Sequence, residues 1–211
     1  MTKEQIIENE IPNFITKEEC QAIIELGNSI PLVKGRVSGE GTTEGYRNAL
    51  TETLPRTDLV ESIRMRVGKL LNMDYLNSEG VVFIKYELGG VFYEHSDFFQ
   101  HHSPEMAMLI SQGMNRIKTA IIYLNDDFEG GITQFPHIGV EVKPETGKLV
   151  SWNNGTEYGQ WYSESNHLST IITKGTKYII TFWMHQGRME SARPEDTVIA
   201  ASSRNSSKKY E

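Results

Sequence analysis

His95 and Asp97 stand two residues apart, His167 follows far downstream, and Lys177 lies ten positions beyond it. Alternate side chains of a strand share one face, so a His-x-Asp triplet on a strand can aim both groups at one point. A third ligand can come from a neighbouring strand. Two imidazoles and a carboxylate on one side of a metal ion leave the opposite positions open to reactants. Fe(II) suits this donor set, and zinc and manganese accept it too. A lysine held nearby offers a fixed positive charge for an acidic co-substrate.

Each of these residues has a plainer reading. A His-x-Asp triplet arises often by chance as a surface histidine beside a solvated aspartate. By spacing alone His101 or His137 could be the third ligand, and His102 and His185 could lie near the site as supporting groups, though the plain reading of most of them is a polar loop or surface histidine. A lysine near a strand start is usually solvated. The functional reading requires Lys177 to face inward with its charge paired to a carboxylate. Tyr86 and Thr133 read first as ordinary strand residues. A zinc hydrolase would need a general base beside the metal, and the chain has no His-Glu-x-x-His run.

The elements that must position these groups change character along the chain. Thr16 and Glu19 form a capping-box pattern at the start of a helix whose apolar set is Cys20, Ile23, Ile24 and Leu26, ending near Gly27-Asn28. Before it, Ile11 to Ile15 reads as a short strand or extended lead-in. A second helix runs from about Asp58 to Leu71, with Leu59, Val60, Ile63, Val67, Leu70 and Leu71 on its apolar side. Lys34 to Gly45 is a polar, glycine-rich loop. From about Val81 the chain turns β-branched and aromatic, at Val81–Tyr86, Ile117–Leu124, Lys148–Trp152 and Tyr178–Met184. Turn signals at Gly89-Gly90, Gly130-Gly131 and Asn153-Asn154-Gly155 separate these runs. Short strands after a helical section predict a mostly β, α+β fold: a barrel or jelly roll with helices packed outside. Residues 1–188 read as a single domain, with a catalytic core at about 81–186 and helical support at about 11–72. Residues 189–211 read as a C-terminal extension with a frayed end.

Composition narrows the class. The 211 residues are 38% hydrophobic and 23% charged, as in ordinary globular chains. A net charge of −7 argues against a general nucleic-acid binder. The single cysteine, Cys20, allows neither an internal disulfide nor a cysteine zinc cluster. Met1 to Glu10 carries no apolar signal core, and no run approaches the roughly 20 apolar residues of a membrane helix. The expectation is a soluble, cytoplasmic protein without membrane or nucleic-acid partners; no oligomeric state follows from the sequence.

Several blocks stand in a fixed order along the chain: Tyr86-Glu87-Leu88-Gly89-Gly90 leading to His95-Ser96-Asp97; Asn115-Arg116-Ile117-Lys118-Thr119; Tyr123-Leu124-Asn125-Asp126; and Glu129-Gly130-Gly131-Ile132-Thr133-Gln134-Phe135-Pro136. Pro144-Glu145-Thr146-Gly147-Lys148 follows, and then His167, Gly175, Lys177 and Trp183. Together these blocks resemble the prolyl 4-hydroxylase family of the 2-oxoglutarate/Fe(II)-dependent dioxygenase superfamily. The resemblance covers about Val81 to His185, with a looser match at Ile11 to Ile24.

The resemblance implies a double-stranded β-helix, or jelly roll. It implies that His95, Asp97 and His167 bind Fe(II), and that Lys177 pairs with the distal carboxylate of 2-oxoglutarate. Thr133 and Tyr86 would donate hydrogen bonds to that co-substrate, and Arg116 and Trp183 would bind a peptide. The implied reaction hydroxylates a prolyl residue of a peptide or protein with O2, releasing succinate and CO2; ascorbate is a further candidate cofactor. The chain departs from the family pattern at Phe92, where tyrosine is usual, and at Ile132, where glutamate is usual. These departures keep in view a related oxygenase acting on a free amino acid or another peptidyl side chain. A non-catalytic jelly-roll binding module is the alternative of a different class.

Overall fold

The structure, a computed structural model, describes residues 1–35, 46–100 and 104–187. In chain order its strands are β1 (Ile7–Ile11), β2 (Val33–Lys34), β3 (Arg47–Asn48), β4 (Leu50–Thr53), β5 (Val82–Tyr86), β6 (Val91–His95) and β7 (Arg116–Tyr123). There follow β8 (Glu129–Gly130), β9 (Thr133–Phe135), β10 (Val140–Val142), β11 (Leu149–Asn153), β12 (His167–Ser169), β13 (Ile172–Lys174) and β14 (Lys177–His185). The helices are α1 (Lys3–Ile6), α2 (Lys17–Asn28), α3 (Asp58–Leu70) and α4 (Pro104–Ser111).

The strands build two facing sheets. The larger has the order β1-β11-β7-β14-β5-β4-β2 and the smaller β10-β9-β12-β6-β3, with β13-β8 as a separate pair. Every pairing is antiparallel. This is the jelly roll that the sequence predicts, with its helices outside.

The near-continuous apolar runs of β7 and β14 follow from their place. Both lie inside the larger sheet and are covered on both faces, so neither face can be polar throughout. Ala120, Ile122, Ile180 and Phe182 face Ile23 of α2 and Val60, Ile63 and Val67 of α3. Ile121, Tyr123 and Ile179 face the other way, toward Phe135 and Val142 of the smaller sheet. Phe83 packs so closely on α2 that a Cβ at Gly27 would lie 2.6 Å from its ring. Truncating a fully buried member such as Ile180 to alanine costs about 2–5 kcal/mol.

Helix α2 starts as expected: Thr16 Oγ1 accepts from Glu19 N at 3.1 Å, and Glu19 Oε2 accepts from Thr16 N at 2.8 Å. The lead-in differs from the expectation. The strand lies earlier, at Ile7–Ile11, paired with β11, and residues 12–15 form a turn. There Ile15 N donates to Gly147 O at 3.2 Å. Pro12, which lacks an N–H, favours ending the ladder at that point. The loop expected at Lys34 to Gly45 falls largely outside the described residues, as do His101, His102 and the C-terminal extension. Among the described residues, no helix is long and apolar enough to cross a membrane.

Candidate metal centre and co-substrate cleft

Strands β6 and β12 carry the two histidines. They pair antiparallel with His95 opposite His167, which brings the ring centroids to 4.3 Å. Asp97 lies just past the end of β6, in the bend that follows. His95 Nδ1 is 2.8 Å from Tyr93 O, and His167 Nδ1 is 3.0 Å from Ser165 O. A carbonyl only accepts, so each Nδ1 carries the proton and each Nε2 keeps its lone pair. Those Nε2 atoms face Asp97, at 3.9 Å from Oδ1 for His95 and 3.7 Å from Oδ2 for His167. The three ligating atoms lie within 4.8 Å of one another, close enough to share one ion.

Burial sets the charge states. It pushes His95 down to about 3, helped by the neighbouring His167, so the ring stays neutral and able to bind a metal. Burial alone would raise Asp97. The two imidazoles, Arg116 and the Thr119 hydroxyl outweigh it and hold the carboxyl below its usual range. Trp152 packs edge-on against His167 at 4.6 Å, and Phe92 lies flat on His95 at 3.5 Å. Phe92 is the residue that departs from the family tyrosine; its ring is sandwiched between His95 and the Arg47 guanidinium, 4.6 Å from its centroid.

The same cleft reaches Lys177 at the start of β14, with Tyr86, Thr133, Ser169 and Ile179 along its walls and Trp183 further up β14. Lys177 is only 1% exposed. Its Nζ donates to Gly131 O at 2.6 Å and Ser169 Oγ at 2.9 Å, beneath the rings of Tyr86 and Tyr123. Among the described residues no carboxylate pairs with it, and burial lowers its pKa to about 7. The solvated reading of this lysine is therefore excluded. Gly131 has φ +64°, and a Cβ there would lie 2.9 Å from Lys177 Cδ and 2.7 Å from Ile172 Cδ1. Only glycine brings that carbonyl to the ammonium without displacing the lysine. Tyr123 donates to Thr133 Oγ1 at 2.7 Å, which leaves the Thr133 proton for another acceptor.

Arg116 stands behind Trp183. Its guanidinium forms a two-point ion pair with Glu79, at 2.6 and 3.0 Å, and lies 3.9 Å from the centre of the Trp183 ring. His185 reaches the same Glu79 at 2.7 Å, and exposed His137 pairs with Glu94 at 2.7 Å. Neither joins the triad. Ile132 is half-buried and stands immediately before β9.

A family model described as the 2OG-Fe(II) oxygenase superfamily matches residues 81–185, the span that holds His95, Asp97, His167 and Lys177. The chain belongs to this superfamily. Its relatives within it include prolyl 4-hydroxylase subunit alpha-1 of Gallus gallus, 29% identical over 187 residues, which are 86% of this chain and 36% of the relative. The subunit of Homo sapiens is 30% identical over 159 residues, 75% of this chain and 28% of that one. The chain thus spans about a third of the length of these subunits. It is also 28% identical over 176 residues to a putative prolyl 4-hydroxylase of Acanthamoeba polyphaga mimivirus, covering 82% of this chain and 72% of the other.

Solved structures of the superfamily share the fold. The viral collagen prolyl hydroxylase of Paramecium Bursaria Chlorella virus-1, in its 2OG complex, aligns with TM-score 0.68 at 21% identity, covering 85% of this chain and 96% of that one. A Trichoplax adhaerens prolyl hydroxylase, in complex with a hypoxia inducible factor peptide fragment, gives 0.67 at 16%, covering 90% and 89%.

Sequence reading missed Thr119, Trp152, Ser169, Tyr123 and Arg47. Three had a signal in alternation. Thr119 and Tyr123 are polar members of the inward set of β7, and Ser169 lies two residues after His167 on the same face. Arg47 and Trp152 had none, because only sheet pairing brings β3 and β11 to the cleft.

Proposed function

We propose that this chain is a Fe(II)- and 2-oxoglutarate-dependent dioxygenase that hydroxylates prolyl residues in a peptide or protein. The observation that carries the reading is the pairing, in one cleft, of a two-histidine, one-carboxylate centre with a buried lysine whose described neighbours supply no carboxylate. A metal at one end and an unmatched cation at the other fit a ligand that chelates through one end and carries an acid at the other.

The donor chemistry fits Fe(II): two imidazoles whose Nδ1 atoms are engaged by carbonyls, leaving Nε2 free, and an ionised carboxylate, with their lone pairs converging. His95, Asp97 and His167 would hold it. Bound Fe(II), with 2-oxoglutarate and O2, supplies the C–H hydroxylating chemistry and yields succinate and CO2. Lys177 pairs with the distal carboxylate, and Thr133 and Tyr86 donate to it. Thr133 can do so because Tyr123 already fills its acceptor side. Ile179 and Trp152 keep the intervening cleft apolar and exclude water. Trp183 forms part of the peptide-facing wall, and Arg116 holds its ring from behind, with Glu79 fixing the guanidinium. We take residues 1–188 as one catalytic domain, and ascorbate as a candidate cofactor of it.

The test is Fe(II)-dependent release of succinate from 2-oxoglutarate, stimulated by a proline-rich peptide and abolished by His95→Ala. Full activity in that variant contradicts the metal assignment. Absence of turnover in the wild type favours a binding module. Phe92 supports one second reading, a related oxygenase with another target, because it removes a hydroxyl beside the first histidine. Stimulation by a free amino acid and not by peptides would decide for it.

A further inference from the structure

Asp97 is the least supported of the three ligands by its own strand. It lies beyond the last residue of β6, so no ladder of hydrogen bonds fixes its orientation. The carboxylate is held instead from the larger sheet. Thr119 Oγ1, on β7, donates to Asp97 Oδ2 at 2.7 Å, and Asn154 Nδ2, just past β11, donates to Thr119 Oγ1 at 2.8 Å. Thr119 and Asn154 are fully buried, and Asp97 is 6% exposed.

The direction of this chain is forced. An ionised carboxylate only accepts, so Thr119 must give its single proton to Asp97. The hydroxyl then has only lone pairs left for Asn154, which must therefore present its NH2 and not its oxygen. Asn154 can do this reliably because its backbone is pinned on both sides. Its N–H donates to Ile117 O at 2.8 Å, and its carbonyl accepts from Tyr162 N at 2.9 Å. Thr119 is fixed in the middle of the sheet, opposite Trp152 on one side and Trp183 on the other. A rigid sheet position thus reaches across the cleft to a ligand on a bend.

We infer that Thr119 and Asn154 are a positioning pair that sets the rotation of the Asp97 carboxylate and thereby the affinity of the metal centre. This rests on the reading of His95, Asp97 and His167 as metal ligands. Groups that orient a metal ligand typically change metal affinity about 10–100-fold when removed. Thr119→Val deletes the hydroxyl and keeps the shape; its Kd for Mn(II) should rise by about that factor, while Thr119→Ser stays near wild type. Asn154→Leu should weaken Mn(II) binding several-fold. Because Asn154 acts only through Thr119, Asn154→Leu added to Thr119→Val should cost nothing further.

The experiment titrates Mn(II) into the metal-free full chain by calorimetry, with the metal-free melting temperature of each variant beside it. Wild-type affinity in Thr119→Val overturns the inference, even if that variant melts lower, since packing alone then explains the pair. Losses that add in the double variant overturn it as well. Should Thr119→Val fail to fold, Asn154→Leu decides alone: unchanged Mn(II) binding refutes the pair. A wild type that binds no Mn(II) refutes the metal reading itself, and the pair with it. Mn(II) binding without peptide hydroxylation touches only the proposed substrate.

Discussion

Lys177 sets how co-substrate binding should respond to pH. In the free protein it is 1% exposed, its polar partners are a carbonyl and a hydroxyl, and burial brings its pKa from 10.5 to about 7. Once paired with the distal carboxylate of 2-oxoglutarate it is protonated. Above about pH 7 binding must therefore take up a proton, and the apparent Kd should rise about tenfold per pH unit. From a plateau near pH 6, affinity should be about ten times weaker at pH 8 and about a hundred times weaker at pH 9. Calorimetry with anaerobic Fe(II), in buffers of different ionisation heat, reads both the Kd and the proton uptake. Lys177→Met should abolish the pH dependence. It should also weaken binding at the plateau by at least about a hundredfold, since a buried carboxylate left without its partner costs about 3–5 kcal/mol. A wild-type Kd that is flat from about pH 6 to 9 with no proton uptake would refute the reasoning. The same shift fixes a sign for stability. The folded value lies below the unfolded one, so between about 7 and 10.5 the unfolded chain binds more protons. This group then makes the ligand-free protein more stable as pH rises through that window.

Other predictions follow from single contacts. Gly131→Ala should weaken 2-oxoglutarate binding at least about tenfold, because its Cβ displaces Lys177 and a φ of +64° disfavours alanine; Mn(II) affinity measured in parallel should hold. Glu79→Gln should loosen Arg116 and Trp183, raising the peptide KM about tenfold while leaving the Kd of 2-oxoglutarate unchanged. Thr16→Ala should lower unfolding free energy by about 1 kcal/mol in urea titration without altering turnover, since it removes one half of the α2 capping box.

The fold was legible where local chemistry and tertiary need agree. Thr16 and Glu19 start a helix by themselves, and the runs of β7 and β14 are apolar on both faces because both faces are covered. The edges were harder. β1 is written as Ile-Glu-Asn-Glu-Ile, a charged edge strand whose assignment depends on β11 lying beside it, so Ile11–Ile15 attracted the strand reading instead. At the site, the triad and Lys177 could be read through ordered motifs. Geometry adds what spacing does not contain. His95 faces His167 because β6 pairs with β12, and Arg116 turns out to hold Trp183 because Glu79 occupies its guanidinium. Thr119 and Asn154 lie 35 residues apart and meet only through the register of β7 and β11.

The most direct test of the whole account is mass spectrometry of proline-rich peptides after incubation with the chain, Fe(II), 2-oxoglutarate and O2, with succinate measured in the same tube. One oxygen atom should be added at a prolyl residue for each succinate formed, with neither product from His95→Ala or Lys177→Met. Succinate formed with no oxygen on any peptide, or oxygen transferred to another side chain or a free amino acid, would contradict it.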